Sequence, residues 1–300
     1  MNRAYIYILI GAGLWGTIAF FVKNLYALGF SPMEVVTLRV CTAAIILLSY
    51  QAVKSPESLK LKSVGDIKYF IGTGIFSIIF FNYCMFKTIN LATIPIAFAL
   101  LYTAPAFVII LSFILFQESL TVYKITALFL TLIGVMLVVE LNPLQIDSLP
   151  VTAVLIGLGS GFGYALYSIF SKFALKKYSS LQITTYTFTI AAIALLPFFP
   201  YESKHHLLFH SSVILYAFGL GFLPTAVAYI IYTLGLELTE TSKASILATV
   251  EPVVATLIGI FIFFEPFSFI QMIGMGSIIV AVIIIQLSEN KHNNISNQGY

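Results

Sequence analysis

Charge is what this chain has least of: Asp, Glu, Lys and Arg make up 9% of its 300 residues, against roughly a quarter in an ordinary soluble domain. So few charges cannot cover a surface that meets water on every side, and a soluble fold is excluded. There are only two cysteines, Cys41 and Cys84, both inside apolar runs where a thiol acts as a small apolar group. That excludes a disulfide framework and a cysteine-held metal. His205, His206 and His210 share one polar stretch with no Cys or convergent carboxylates, so neither a metal nor a cofactor is expected. Enzyme signatures are absent too. There is no H-E-x-x-H and no pair of carboxylates within the apolar runs, and Ser160 has Leu158 where a G-x-S motif needs glycine. A channel's ring of like charges or carbonyl filter is also missing.

What the chain does have is apolar length. Sixty percent of the residues are hydrophobic, and runs of about twenty recur throughout, the helical length needed to cross a bilayer core about 30 Å thick. Ten spans are predicted, near 4–23, 32–51, 66–86, 93–116, 122–139, 150–174, 181–199, 212–236, 242–264 and 268–287. A β-barrel would alternate apolar and polar residues, whereas 107–116 and 276–285 are apolar on every side, so the fold class is an all-α integral membrane protein. The first run follows Arg3 but is too long for a signal peptide and has no small-residue cleavage site, so it counts as a span. With the N-terminus in the cytoplasm, eleven basic residues fall inside (Arg3, Lys54, Lys60, Lys62, Lys68, Lys124, Lys172, Lys176, Lys177, Lys243, Lys291) and three outside (Lys23, Lys87, Lys204). The positive-inside rule then puts both termini in the cytoplasm, and the cell membrane is the expected location. The same rule explains the net charge of +3 without a nucleic-acid partner. The polar tail 288–300 is expected to be disordered and cytoplasmic.

The runs are not independent. Thr103-Ala104-Pro105 through Gln117-Glu118 reads like Val250-Glu251-Pro252 through Phe264-Glu265, 147 residues later, and Gly72-Thr73-Gly74 like Gly219-Leu220-Gly221. Near an offset of 149, Trp15 lies over Tyr164 and Lys23 over Lys172. The chain is a duplication, 1–140 and 150–287, with five spans in each copy. An odd number of crossings turns the second copy upside down, so ten helices form two inverted five-helix repeats. The linker 141–149, flanked by helix-stopping Pro143 and Pro150, is short enough that the halves must pack directly. Gly157, Gly159, Gly161 and Gly163 form two small-xxx-small pairs suited to close helix approach. Gly11, Gly13 and Gly16 spell G-x-G-x-x-G, but with no preceding strand this is helix packing rather than a dinucleotide site.

Phe98, Tyr102 and Pro105 share one face of the fourth span, and their equivalents Ser245, Thr249 and Pro252 one face of the ninth. Two readings fit these faces: opposite walls of a central binding site, or kinks filling a packed interface. Glu251 lies about ten residues into its span, about 14 Å deep. A carboxylate there costs roughly 2.5 to 3.5 kcal/mol, so it must face the protein interior. Its open roles are proton carrier, counter-charge for a substrate ammonium, or member of a buried pair. Arg39 is the natural partner, though it also suits a substrate carboxylate or the outer headgroups. Glu34, five residues before Arg39, points elsewhere. Trp15, Tyr164, Asn82, Tyr83 and Tyr229 complete the expected cavity for a small amphipathic solute, since aromatic faces attract ammonium groups. Glu118 and Glu265 are expected to brace the turns that follow their spans.

Ten spans, the five-helix duplication, Trp15-Gly16, and the runs from Ala104-Pro105 to Gln117-Glu118-Ser119-Leu120-Thr121 and from Glu251-Pro252 to Phe264-Glu265 resemble the drug/metabolite transporter superfamily, in its EamA-type branch. The resemblance implies a cavity lined by helices one, three, four, six, eight and nine, with five and ten peripheral. It implies export of a small organic metabolite such as an amino acid or amine; the inverted duplication adds alternating access, and the depth of Glu251 adds protons as a further partner. The alternatives are import of a choline-like cation and a non-transporting membrane scaffold. A homodimer stays open. Glu251 departs from the small or apolar residue many members carry before that proline, as Ala104 does in the first half.

Overall fold

The computed structural model describes residues 2–141 and 149–297. Ten apolar helices run through it: α1 Arg3–Ala27, α2 Pro32–Lys54, α3 Val64–Leu91, α4 Ile94–Phe116, α5 Val122–Val138, α6 Val151–Ala174, α7 Ser180–Phe198, α8 Ser211–Glu237, α9 Thr241–Phe263 and α10 Phe269–Ser288. Nine are long and apolar enough to cross a bilayer, and α5 is a shorter apolar helix of 17 residues. The described residues contain no strand. Hydrocarbon offers no partner for a backbone amide, so each span must satisfy its own hydrogen bonds, and a multi-pass helical membrane protein results.

The duplication is written into the backbone. Helices α2 and α7 each open with a capping box, Ser31 N–H donating to Glu34 Oε2 at 2.8 Å and Ser179 N–H to Gln182 Oε1 at 3.0 Å. Glu34 thereby serves its cap and also meets Lys204 Nζ at 3.6 Å. Turns of π-helix occupy Gly72–Ile79 in α3 and Phe222–Val227 in α8. Helix α4 ends in left-handed Gln117 (φ 56°, ψ 32°) and α9 in left-handed Phe264 (φ 54°, ψ 35°). In both, the next N–H folds back along the helix, Glu118 to Ser112 O at 3.2 Å and Glu265 to Gly259 O at 3.1 Å.

Helices α5 and α10 occupy equivalent places in the two halves, and they pack on each other in opposite directions. Gln271 Nε2 donates to Val138 O at 3.3 Å, Gly274 meets Gly134, and Ser277 Oγ donates to Leu130 O at 2.8 Å. One index falls as the other rises, so the repeats are inverted.

Small residues set the closeness of the bundle. A methyl group on Gly11 of α1 would lie 2.9 Å from the Ala228 carbonyl oxygen of α8, and one on Gly161 of α6 2.7 Å from the Leu100 carbonyl oxygen of α4. At Gly276 of α10 there is open space. Overpacking against backbone costs about 1–3 kcal/mol, while alanine is better than glycine in a helix by about 1 kcal/mol. Gly11→Ala is therefore expected to lower the thermal midpoint of the purified protein and Gly276→Ala to leave it level or raise it. Equal shifts in the two variants would remove this account of the packing.

Three expectations need amendment or lie out of reach. The polar stretch after α7 is not all loop, because Tyr201–Leu208 forms a short helix. The last helix continues past Ser288 to Asn297, where a disordered tail was expected, and 298–300 lie outside the described residues. Most of the 141–149 linker, Pro143 included, also lies outside them. Near the start of α3, Asp66 accepts from Lys177 Nζ at 2.8 Å and Tyr178 OH at 2.9 Å, tying α3 to the α6–α7 connection. The hydrogen bond to that carboxylate holds the Lys177 ammonium above its ordinary range.

Candidate functional site

Helices α4 and α9 are both interrupted, and both breaks face the centre of the bundle. In α4 the helix stops at Leu101 and restarts at Ala104. In α9 a 3-10 turn, Ala248–Val250, separates Thr241–Leu247 from Glu251–Phe263. Pro105 and Pro252 sit at the second position of the restarted helices, where a missing N–H costs nothing. Each break leaves a helix N-terminus, with its partial positive charge, inside the protein.

Beside the breaks is a narrow cavity between the side chains. Of the residues expected there, Trp15, Tyr102, Tyr164, Tyr229, Ser245 and Thr249 line it. Trp15 is the hub: its ring lies 4.9 Å from Tyr229, 4.8 Å from Tyr232 and 6.1 Å from Tyr164, all tilted or edge-on. Glu251, also expected there, is not one of the lining residues: it is half-buried just behind them, in the first turn of its helix segment, where the helix dipole favours a negative charge. Its Oε2 accepts from Tyr164 OH at 2.8 Å, and the Tyr102 hydroxyl shares the carboxylate.

Arg39 is buried at 5% exposure rather than reaching for headgroups. Its Nε donates to Thr225 Oγ1 at 2.8 Å, and its guanidinium carbon lies 5.7 Å from the Tyr229 ring centroid. Thr225 belongs to the π-helical part of α8 and in turn donates to Leu220 O at 2.7 Å. Among the described residues Arg39 makes no ion pair with Glu251. Tyr229 adjoins both charges, and each feels the other across the aromatic cluster.

Other expected residues lie elsewhere. Tyr83 is 56% exposed on the outside of the bundle. Asn82 is buried, but its amide donates to Ile78 O of its own helix at 2.7 Å. Phe98 stands one turn back from the wall, stacked on Tyr102 with centroids 6.3 Å apart. Ser245 and Thr249 face the cavity with hydroxyls turned back to Ser242 O at 2.9 Å and Ile246 O at 2.5 Å. The cavity also includes residues that the sequence did not single out: Ser77, Tyr167, Ser168 and Tyr232. Tyr167 pairs with Thr233 at 2.8 Å and Tyr232 with Ser168 at 2.7 Å, which fixes both rings. Tyr167 and Tyr232 each stand three residues after an expected site tyrosine, and that spacing was the available signal.

The two ends of the bundle are closed differently. At one end Glu118 does not brace its own turn. It accepts from Thr241 N at 2.6 Å, Ser242 N at 3.0 Å and the Ser242 hydroxyl, so the first half caps α9 of the second. Lys124, 1% exposed, lies 2.6 Å from Glu240 and 3.8 Å from Glu118 and donates to Ser119 O at 2.8 Å. Lys172 donates to Leu236 O and Thr239 O at the end of α8, at 2.8 and 2.7 Å. At the other end Lys23 meets Glu265 at 2.5 Å, linking α1 to the residue after the αL cap of α9 with both side chains about half exposed, and Lys204 meets Glu34 at 3.6 Å.

A family model described as the EamA-like transporter family matches residues 2–140 and again 151–287. An uncharacterized transporter of Archaeoglobus fulgidus is 32% identical over 279 residues, 92% of this chain and 94% of that one. The uncharacterized inner membrane transporter YicL of Salmonella typhimurium is 23% identical, with 97% of each chain covered. One solved crystal structure superposes with a TM-score of 0.78 over 96% of this chain and 98% of its own at 17% identity, a likeness of fold.

Proposed function

We propose a cargo class and a coupling scheme from one premise: the chain belongs to the EamA-like transporter family. It is a transporter, and the cargo we assign is a small organic metabolite bearing an ammonium group, an amino acid or amine. It crosses by alternating access around the cavity and is exported. The observation that carries this reading is the Glu251 carboxylate at a broken helix, which accepts from Tyr164, a residue of the aromatic cavity wall. A carboxylate so placed attracts a cation, and aromatic faces add to that attraction. A proton and an ammonium compete for the same oxygens, which gives proton-coupled exchange: the outgoing cargo leaves as a proton takes its place. Export rests on the resemblance drawn from the sequence, and cytoplasmic termini on its basic residues. The rings also suit a choline-like quaternary ammonium, the second reading.

Thermal-shift screening of the purified protein against amino acids, amines, choline and nucleosides tests the cargo class. Selective stabilisation by ammonium-bearing compounds is expected, because a ligand that binds only the folded state raises its stability. No stabilisation by any compound would favour a scaffold. A response to nucleosides alone would remove the role given to Glu251.

A further inference from the structure

Nearly every polar atom on the cavity wall is already spoken for. Tyr164 and Tyr102 serve Glu251, Tyr167 and Tyr232 bond to Thr233 and Ser168, and the hydroxyls of Ser245 and Thr249 return to their own helix. Two remain. Trp15 Nε1 and Ser77 Oγ are buried in residues that line the cavity and find no hydrogen-bond partner among the described residues. Trp15 is 4% exposed and Ser77 is fully buried, on the π-helical stretch of α3.

The chemistry of the two atoms is unequal, and this narrows the ligand. An indole N–H donates only, whereas a hydroxyl donates and accepts, so a group that satisfies both must be an acceptor. Arg39 stands on Tyr229, and the Tyr229 ring lies 4.9 Å from that of Trp15. A guanidinium is permanently cationic, so its field on this side of the cavity favours an acceptor with negative charge. Glu251 thus stands behind the wall residue Tyr164, from whose hydroxyl it accepts, while the unsatisfied donors belong to the wall itself.

We propose that Trp15 Nε1 and Ser77 Oγ form an acceptor-reading subsite: they donate to an oxygen of the cargo, a carboxylate best of all, while Glu251 takes its ammonium. They are specificity-determining residues that favour a cargo with both groups over a bare cation. This rests on the cation reading of Glu251 and adds a second requirement to it.

Matched probes separate the two requirements. Leucine and isopentylamine, phenylalanine and phenylethylamine, and glycine betaine and tetramethylammonium differ chiefly in the carboxylate. Affinities are measured on the full chain in nanodiscs for wild type, Trp15→Phe, which keeps a ring and removes the N–H, and Ser77→Ala. Gel filtration reports that each variant is folded. In wild type at least one pair is expected to show about a tenfold or greater preference for the carboxylate-bearing member, the worth of a charge-assisted hydrogen bond. That ratio should fall towards one in Trp15→Phe and shrink in Ser77→Ala. Trp15 is the sole tryptophan, so its emission reports the contact directly. A red shift with the carboxylate member and none with the bare cation is expected in wild type.

Ratios that stay the same in both variants overturn the subsite, as does equal binding of the two members in wild type. If the bare cations bind and lose affinity in Glu251→Gln while the ratios persist, the subsite alone falls. If no probe binds wild type, the cation reading falls and takes the subsite with it.

Discussion

Glu251→Gln should abolish the pH dependence of transport in proteoliposomes and weaken the binding of ammonium-bearing ligands by about two orders of magnitude. Glutamine keeps the shape and an oxygen acceptor for the Tyr164 hydroxyl, which lies 2.8 Å from the carboxylate, so folding should survive. The charge is removed, and one acceptor oxygen becomes an amide donor. Two unit charges about 4 Å apart at an effective dielectric of about 20 attract by about 4 kcal/mol, part of which the amide's dipole recovers, leaving roughly 2–3 kcal/mol or about a hundredfold. The sign follows from competition. On the proposed scheme ionised Glu251 holds the cargo and protonated Glu251 releases it, so cargo binding to the wild type should fall as acid protonates the group, while binding to the variant stays flat and low. Arg39, Tyr229, Tyr164 and Tyr102 are the charged and titratable groups around it, and none is altered. The two effects are separable. An unchanged pH profile with weakened affinity would leave a cation site without proton coupling, and an unchanged affinity would remove the cation site.

Lys124→Met should be the most destabilising of the charge changes. Lys124 is 1% exposed and meets Glu240 at 2.6 Å and Glu118 at 3.8 Å, and the Glu118 side chain is itself 8% exposed. Deleting the cation leaves Glu118 buried against α9 with only amides and a hydroxyl for partners. Breaking a buried pair from one side costs about 3–5 kcal/mol. The Lys23–Glu265 pair at the opposite end, about half exposed on both sides, is the internal control, since such pairs contribute about 0–1 kcal/mol. A large drop in thermal midpoint for Lys124→Met beside a small one for Lys23→Met is the expected outcome. Comparable drops would show that burial does not distinguish the two closures.

The fold was legible because a bilayer leaves few options. Runs of about twenty apolar residues must be helices, and the offset carrying Ala104-Pro105 onto Glu251-Pro252 carried the interruptions, the left-handed ends and the π-helical turns with it. The cavity was half legible. Trp15 and Tyr164 were found through their equivalence in the two halves, and Glu251 through its depth. Tyr83 was chosen for its ring and its polar neighbour rather than for a helix face, and in a chain so rich in aromatic residues that choice does not separate cavity from outer surface. Ser77, inside the π-helical stretch Gly72–Ile79, has nothing in its neighbourhood to mark it. Tyr167 and Tyr232 were hidden by abundance, since aromatic residues make up 15% of the chain. The Lys124 network needs α4, α5 and α9 to meet, which no local pattern reports.

The seam between α5 and α10 constrains any motion of the halves. Gly134 and Gly274 bring the two backbones into direct contact, and Gln271 and Ser277 pin them from either side of that crossing. Surfaces joined so closely can swivel but cannot part. If the cavity opens first to one side of the lipid and then to the other, as proposed, the rocking would pivot here, with this pair as the axle and the broken helices travelling at the rim.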